Sequence, residues 1–264
     1  MMSRLRPVLL VAVLVLAGCI RSNYNLATHR QEHTITSDDK EVAIGRKLAR
    51  EVVKELPLVA DEGMQERVRT IGQRLVAVCD RQELVYEFAV VKHDDVNAFS
   101  LPGGYVFVNE GLVKEIETDD ELAGVLAHEI AHVAARHSVK RFETGLAAQL
   151  AQLAAMAASR GSGGAGGIGM ALQSAQLAYA RQDELEADRL GARYMKQAGF
   201  DPTAMLTFLR RLQDIEHDKL HYMPRGIVRP NYAMSHPYVP DRIRAIKEEL
   251  FGVADYVDYL NSPN

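Results

Sequence analysis

The chain has 264 residues, 47% apolar and 25% charged, enough for a sizeable core in one domain of about 230 residues or two smaller ones. Its formal net charge of −4, absence of Trp and 6% aromatic content supply neither the basic surface nor the stacking platforms that nucleic acid needs.

At the N-terminus, MMSRLRPVLLVAVLVLAGC sets Arg4 and Arg6 before an apolar run and then small residues before Cys19. That run is about half the length of a bilayer-spanning helix, so residues 1–18 read as a signal peptide. The tetrapeptide LAGC, ending at Cys19, resembles the lipobox of bacterial lipoproteins. The resemblance implies cleavage before Cys19, lipidation of its sulfur and stable anchoring by two or three acyl chains. Ile20 is not Asp, which by the sorting rule of Gram-negative lipoproteins implies the outer membrane, facing the periplasm. The other reading is an ordinary signal peptide with a chance cysteine. Cys79, the second of two cysteines, follows Ile71, Leu75 and Val78 on a helical pattern and reads as a packed thiol.

Residues 19–36 are polar and without sustained periodicity, and read as a flexible tether reaching on the order of 60 Å from lipidated Cys19. Residues 38–55 and 61–79 carry amphipathic helical patterns separated by Pro57. The β-branched and aromatic stretches at 84–92 and 105–111 predict strands, with NAFSLPGG supplying a turn between them. A T-x-x-E capping box, Thr118 to Glu121, opens a predicted helix over 119–140. Residues 146–158 are Ala-rich, and GSGGAGGIG over 161–169 is the most flexible stretch of the sequence. Helix resumes from about 170, Asp201-Pro202 predicts another helix start, 224–240 is loop-like, and a last helix runs from about 241. The pattern is mainly α with a small β-sheet, an α+β fold, with the main domain over residues 37–264.

The chemistry sits in LAHEIAHVAARH, residues 126–137. His128-Glu129-Ile130-Ala131-His132 is H-E-x-x-H, the zinc-binding pattern of metallopeptidases. Two imidazoles one helical turn apart can hold one ion at about 2.0–2.1 Å, while the intervening Glu129 reaches the water that the ion acidifies. On a continuous helix His137 lies well round from His132, outside the cluster. A metzincin would place Gly at 135 and His at 138; Ala135 and Ser138 reject that class. The gluzincin solution is a downstream helical Glu with an Asp four residues on, and DELEAD offers Glu184 and Asp188 on one face. Glu184 would close the zinc tetrahedron and Asp188 would bond a ligating imidazole. A rival pair, His217 and His221, has chelating spacing but neither the Glu nor a third ligand, and reads as a solvated helix face.

HEIAH, ARQDELEAD, SHPYVPDR and the upstream NAFSLPGGYVFVNEGL resemble, in this order, the gluzincin family that contains the CAAX prenyl proteases and the HtpX-type heat-shock peptidases. The motifs cover roughly residues 40–250. Ala180 stands where the family often has Ser, and long membrane-spanning helices are missing, which points to a soluble lipoprotein branch. The resemblance implies a zincin-like fold with the active-site helix packed beside a short sheet. It also implies one Zn2+ on His128, His132 and Glu184, Glu129 as general base, and Asp188 behind the ligands. His236 would sit near the open metal position, donating to the oxyanion or plugging the zinc at rest; Arg242 would orient this loop or the intermediate, unless it is merely solvated.

The expected function is hydrolysis of unfolded or misfolded cell-envelope proteins by a membrane-anchored endopeptidase. The alternative is an envelope-assembly or chaperone-like lipoprotein with latent proteolysis. An edge strand within 96–109 would take an extended peptide as an added strand. Residues 143–180 would form a lid hinged by the glycine run, or a plain loop.

Overall fold

The computed structural model describes residues 21–146, 179–222 and 235–252, with the backbone alone for 21–23, 33 and 215–222. The signal peptide, Cys19, the glycine run, most of the expected lid and the side chains of His217 and His221 lie outside the described residues.

The elements run β1 (Arg21–Asn25), β2 (Arg30–Thr34), α1 (Asp38–Glu55), α2 (Glu62–Val76), β3 (Glu87–Val91), β4 (Ala98–Leu101), β5 (Tyr105–Asn109) and α3 (Glu110–Glu115). They continue with α4 (Asp119–Ala134), α5 (Arg181–Gln197), α6 (Ala204–Tyr222) and α7 (Val239–Phe251). The mainly helical α+β expectation holds.

β5 is the centre of a three-stranded sheet, parallel to β3 and antiparallel to β4. All five β5 residues are buried because helices cover both faces of the strand. Tyr105 and Phe107 pack on Leu48, Ala49 and Val52 of α1. Val106 and Val108 face the larger core with Val68, Ile71 and Leu75 of α2 and Leu126 and Ile130 of α4. α1 comes so close to the β4–β5 turn that a Cβ on Gly45 would lie 1.8 Å from Pro102 O. That turn needs the positive φ of Gly103 (80°) and Gly104 (95°).

Several expectations change. NAFSLPGG carries β4 as well as the turn, and α5 starts at Arg181, with Tyr179 and Ala180 outside it. The tether over 19–36 carries instead an antiparallel hairpin, β1 with β2, in which Asn25, Glu32 and Thr34 are buried. Its Asn25 Nδ2 donates to Ala134 O at 3.2 Å, so the hairpin is tied to the end of α4. The 119–140 helix is broken: α4 stops at Ala134, Arg136 adopts φ 58°, and helix resumes over 137–146. The left-handed turn costs about 1–2 kcal/mol. Arg136 offsets that cost through buried contacts to Thr36 O (2.9 Å) and Glu41 Oε2 (3.1 Å) and a part-buried one to Asp38 Oδ1 (2.6 Å). Finally, α6 begins at Ala204 rather than at Pro202, with Asp201 Oδ1 accepting Thr203 N–H at 2.9 Å.

Candidate metal centre

Thr118 starts α4 as its spacing predicts: its Oγ1 accepts Glu121 N–H at 3.2 Å, and Glu121 Oε2 returns a bond to Glu117 N–H at 2.9 Å. Every residue of α4 from Glu121 to Ala134 is buried, so the helix can be polar only where its side chains meet other polar groups. Those groups come from α5. Glu184, Asp188 and Gly191 follow at i, i+4 and i+7 and share one face. A Cβ on Gly191 would lie 3.2 Å from His128 N. The absent side chain therefore lets α5 press its carboxylates onto the two histidines of α4.

His128, His132, Glu184 and His236 converge so that one donor atom from each lies within 4.8 Å of the others. His128 Nε2 is 3.0 Å from His132 Nε2 and 3.5 Å from Glu184 Oε2; His132 Nε2 is 3.4 Å from Glu184 Oε1. His236 Nδ1 is 3.1 Å from Glu184 Oε1 and 3.2 Å from His128 Nε2. A tetrahedral zinc ion with nitrogen and oxygen ligands requires donor atoms about 3.4 Å apart, so the group fits one. All four side chains are at most 1% exposed, and among the described residues Glu184 Oε2 accepts no hydrogen bond despite its burial. A buried carboxylate oxygen beside a ligating imidazole, with its hydrogen-bonding capacity unused, suits a cation. Glu129 lies beside the group, fully buried, with Oε1 3.2 Å from His236 Nε2 and, among the described residues, no hydrogen bond to either oxygen.

The ring is held from behind. Asp188 Oδ1 meets His128 Nδ1 at 2.9 Å, which leaves Nε2 facing the cluster. Arg242 is not a solvated helix-start arginine: it is 1% exposed and forks onto both Asp188 oxygens at 2.8 Å. It also approaches Glu184 Oε2 at 3.3 Å and donates to His236 O at 3.3 Å. α7 delivers it there from a start at Tyr238, whose φ is 69°.

Burial opposes ionisation of Glu184, but the neighbouring charges of His236 and Arg242 and the imidazole hydrogen bonds hold it well below the carboxylate range. Asp188 is likewise lowered against burial, by Arg242 and then His128. Burial and Arg242 pull the His128 pKa down, yet Asp188 and Glu184 raise it to about 9. Burial and the His128 charge push His132 well below its usual value.

Each candidate from H-E-x-x-H, DELEAD and SHP therefore enters one constellation, and Arg242 joins it. Two further contacts carry no signal in the sequence spacing. Tyr179 stacks on His132 with centroids 3.7 Å apart, and Arg141 lies 3.7 Å over Tyr179. His137, expected to point away, touches His132, because the left-handed Arg136 turns the chain back. Neither Gly nor Pro marks that break, so spacing could not reveal it.

The model of peptidase family M48 matches residues 62–250. The chain is 32% identical over 238 residues to the beta-barrel assembly-enhancing protease of Yersinia pestis, covering 85% of this chain and 48% of that protein. It is 30% identical over 213 residues to the Escherichia coli (strain K12) protein of the same name, covering 77% and 42%. It is 36% identical over 187 residues to the mitochondrial metalloendopeptidase OMA1 of Schizosaccharomyces pombe, covering 69% and 52%. The chain thus spans about half the length of these relatives. CAAX prenyl proteases and HtpX-type peptidases are related members of the family; the relatives matched stand on a different branch of it.

Proposed function

The chain belongs to peptidase family M48, and from that premise we propose a zinc endopeptidase that hydrolyses unfolded or misfolded proteins of the bacterial cell envelope. The observation that carries the reading is the convergence of four donor atoms within 4.8 Å beside the buried Glu129 carboxylate. His128, His132 and Glu184 would hold one zinc, which when bound supplies Lewis-acid polarisation of a carbonyl and acidifies water. Glu129 takes the proton of the attacking water and passes it to the leaving amine, as a carboxylate beside such a site can. Asp188, braced by Arg242, fixes the His128 ring.

His236 has two roles in this reading. At rest its Nδ1 lies 3.1 Å from Glu184 and its Nε2 3.2 Å from Glu129, so in this reading it fills the fourth ligand position of the metal and closes the site. Displaced, it can donate to the oxyanion of the tetrahedral intermediate.

Substrate enters along β4, the end strand of its sheet and a neighbour of α4. The ladder bond from Asn109 N to Asn97 O, followed by alternation, turns the backbone groups of Ala98 and Ser100 away from β5. An extended peptide can add there by taking the place of Arg141, whose Nη2 donates to Ser100 O at 3.5 Å; an unfolded chain offers such a strand and a folded one does not. Proline at Ala98 or Ser100 should weaken cleavage and spare zinc; unchanged cleavage in both variants would sink this route.

The relatives named for beta-barrel assembly support an envelope location, and lipidated Cys19 would anchor the chain to the outer membrane, facing the periplasm. Among the described residues no helix is long and apolar enough to cross a membrane. The sealed site favours one second reading, a role in envelope-protein assembly with proteolysis latent. The test is paired: metal content and cleavage of an unfolded protein by residues 20–264, wild type beside Glu129→Gln. One zinc in both, with cleavage lost in the variant, is expected. Zinc in both without cleavage by either would favour the assembly reading, and no zinc in the wild type would overturn the metal site.

A further inference from the structure

His137 is a buried histidine, 1% exposed, that the chemistry above does not use. Five residues beyond His132 on an unbroken helix it would sit roughly 140° away. The turn at Arg136 instead brings its Nδ1 to 3.0 Å from His132 Nδ1, with the rings inclined at 67°. Its other nitrogen, Nε2, meets two carboxylates of α5, Glu186 Oε2 at 3.3 Å and Asp183 Oδ1 at 3.4 Å.

We propose that His137 is a positioning residue for His132, accepting a hydrogen bond from its Nδ1–H and so presenting its Nε2 lone pair to the metal.

The protons follow from one requirement. A ligating imidazole is neutral and binds through a bare nitrogen. His132 Nε2 faces His128 and Glu184, so its proton belongs on Nδ1. That N–H points at His137 Nδ1, which must then be bare. The single proton of a neutral His137 is therefore on Nε2, where Glu186 and Asp183 accept it. Each N–H has an acceptor and no two lone pairs face each other. The reverse assignment puts a His137 proton against His132 Nδ1 and forces the His132 proton onto Nε2, against the metal. A cationic His137 fails for the same reason.

The two ligands are therefore braced differently. His128 leans on Asp188, a buried carboxylate locked by Arg242, whereas His132 leans on a neutral ring whose carboxylates are partly exposed. Tyr179, stacked 11° from parallel on His132, limits the plane in which that ring can turn. The Glu186–His137–His132 line also joins the candidate ligand His132 to the hairpin, since Arg30 lies 3.5 Å from Glu186 Oε1.

This inference rests on the zinc-peptidase reading, and its readouts are zinc affinity and ring tautomers rather than turnover. An Asn side chain sets its Oδ1 where a His Nδ1 stands, so His137→Asn keeps the acceptor while His137→Leu removes it. Competition titration against a zinc chelator should show binding weakened 10–100-fold by His137→Leu, the range for loss of such a partner. His137→Asn should stay within about threefold of wild type. In the zinc-loaded wild type, long-range 15N–1H correlation should report a neutral His137 protonated on Nε2, and this measurement stands even if His137→Leu fails to fold. Wild-type affinity in a folded His137→Leu, equal loss in both variants, or a His137 protonated on Nδ1 would each overturn the proposal. A wild type that binds no zinc would overturn the peptidase reading itself.

Discussion

Arg242→Met tests whether the constellation is held by balanced charge. The buried ring contains three carboxylates, Glu129, Glu184 and Asp188, and one guanidinium, Arg242. A bound dication brings that sum to zero; without Arg242 one negative charge is left over where water does not reach. Met matches the arginine stem in length, so the cavity term is small and the loss is electrostatic. Removing one partner of a buried ion pair costs about 3–5 kcal/mol. The fork of two 2.8 Å bonds to Asp188, with its partners almost wholly buried, places this pair inside that class. The assay is urea unfolding of residues 20–264 with zinc saturating. Asp188→Asn made on top of Arg242→Met should recover more than half of the loss, because it removes the stranded charge while its amide oxygen still accepts the His128 proton. A loss below about 1 kcal/mol, as for an exposed pair, or a double variant as costly as the two single changes summed, would refute the reasoning.

Three further outcomes are expected. His236→Ala should weaken zinc binding, because its Nδ1 stands among the donor atoms, and should lower turnover of an unfolded protein at saturating zinc by about 10²–10³-fold through loss of the oxyanion donor. Wild-type zinc affinity would refute its place against the metal, and wild-type turnover its place against the intermediate. Gly45→Ala should destabilise the fold by about 1–3 kcal/mol despite the better helix propensity of Ala, because its Cβ would meet Pro102 O at 1.8 Å. A thermal melt that stayed level would show that α1 can shift off the β4–β5 turn at no cost. Cys79, 3% exposed and with its thiol pKa raised by burial, should resist a thiol reagent until the domain is unfolded. Labelling of the native protein at the rate of a free thiol would contradict that packing.

What was legible in the sequence was whatever a few neighbouring residues decide. α1 matches its expected span, residues 38–55, because the apolar spacing of Leu48, Ala49 and Val52 and the following Pro57 are both local. The start of α4 is written in Thr118 and Glu121, and the helical repeat sets His128 with His132 and Glu184 with Asp188 on their faces. Spacing along one helix thus determined the chemistry. The tertiary structure decided how that chemistry is braced. Residues 21–34 form a hairpin whose Asn25 reaches the end of α4, more than a hundred residues later. Arg136 turns left-handed without a glycine because Thr36, Asp38 and Glu41 hold its guanidinium. Arg242 becomes a buried cation because two carboxylates of α5 wait for it. Each of these exchanges a local backbone or solvation cost for contacts between distant segments, and a local pattern contains only the cost.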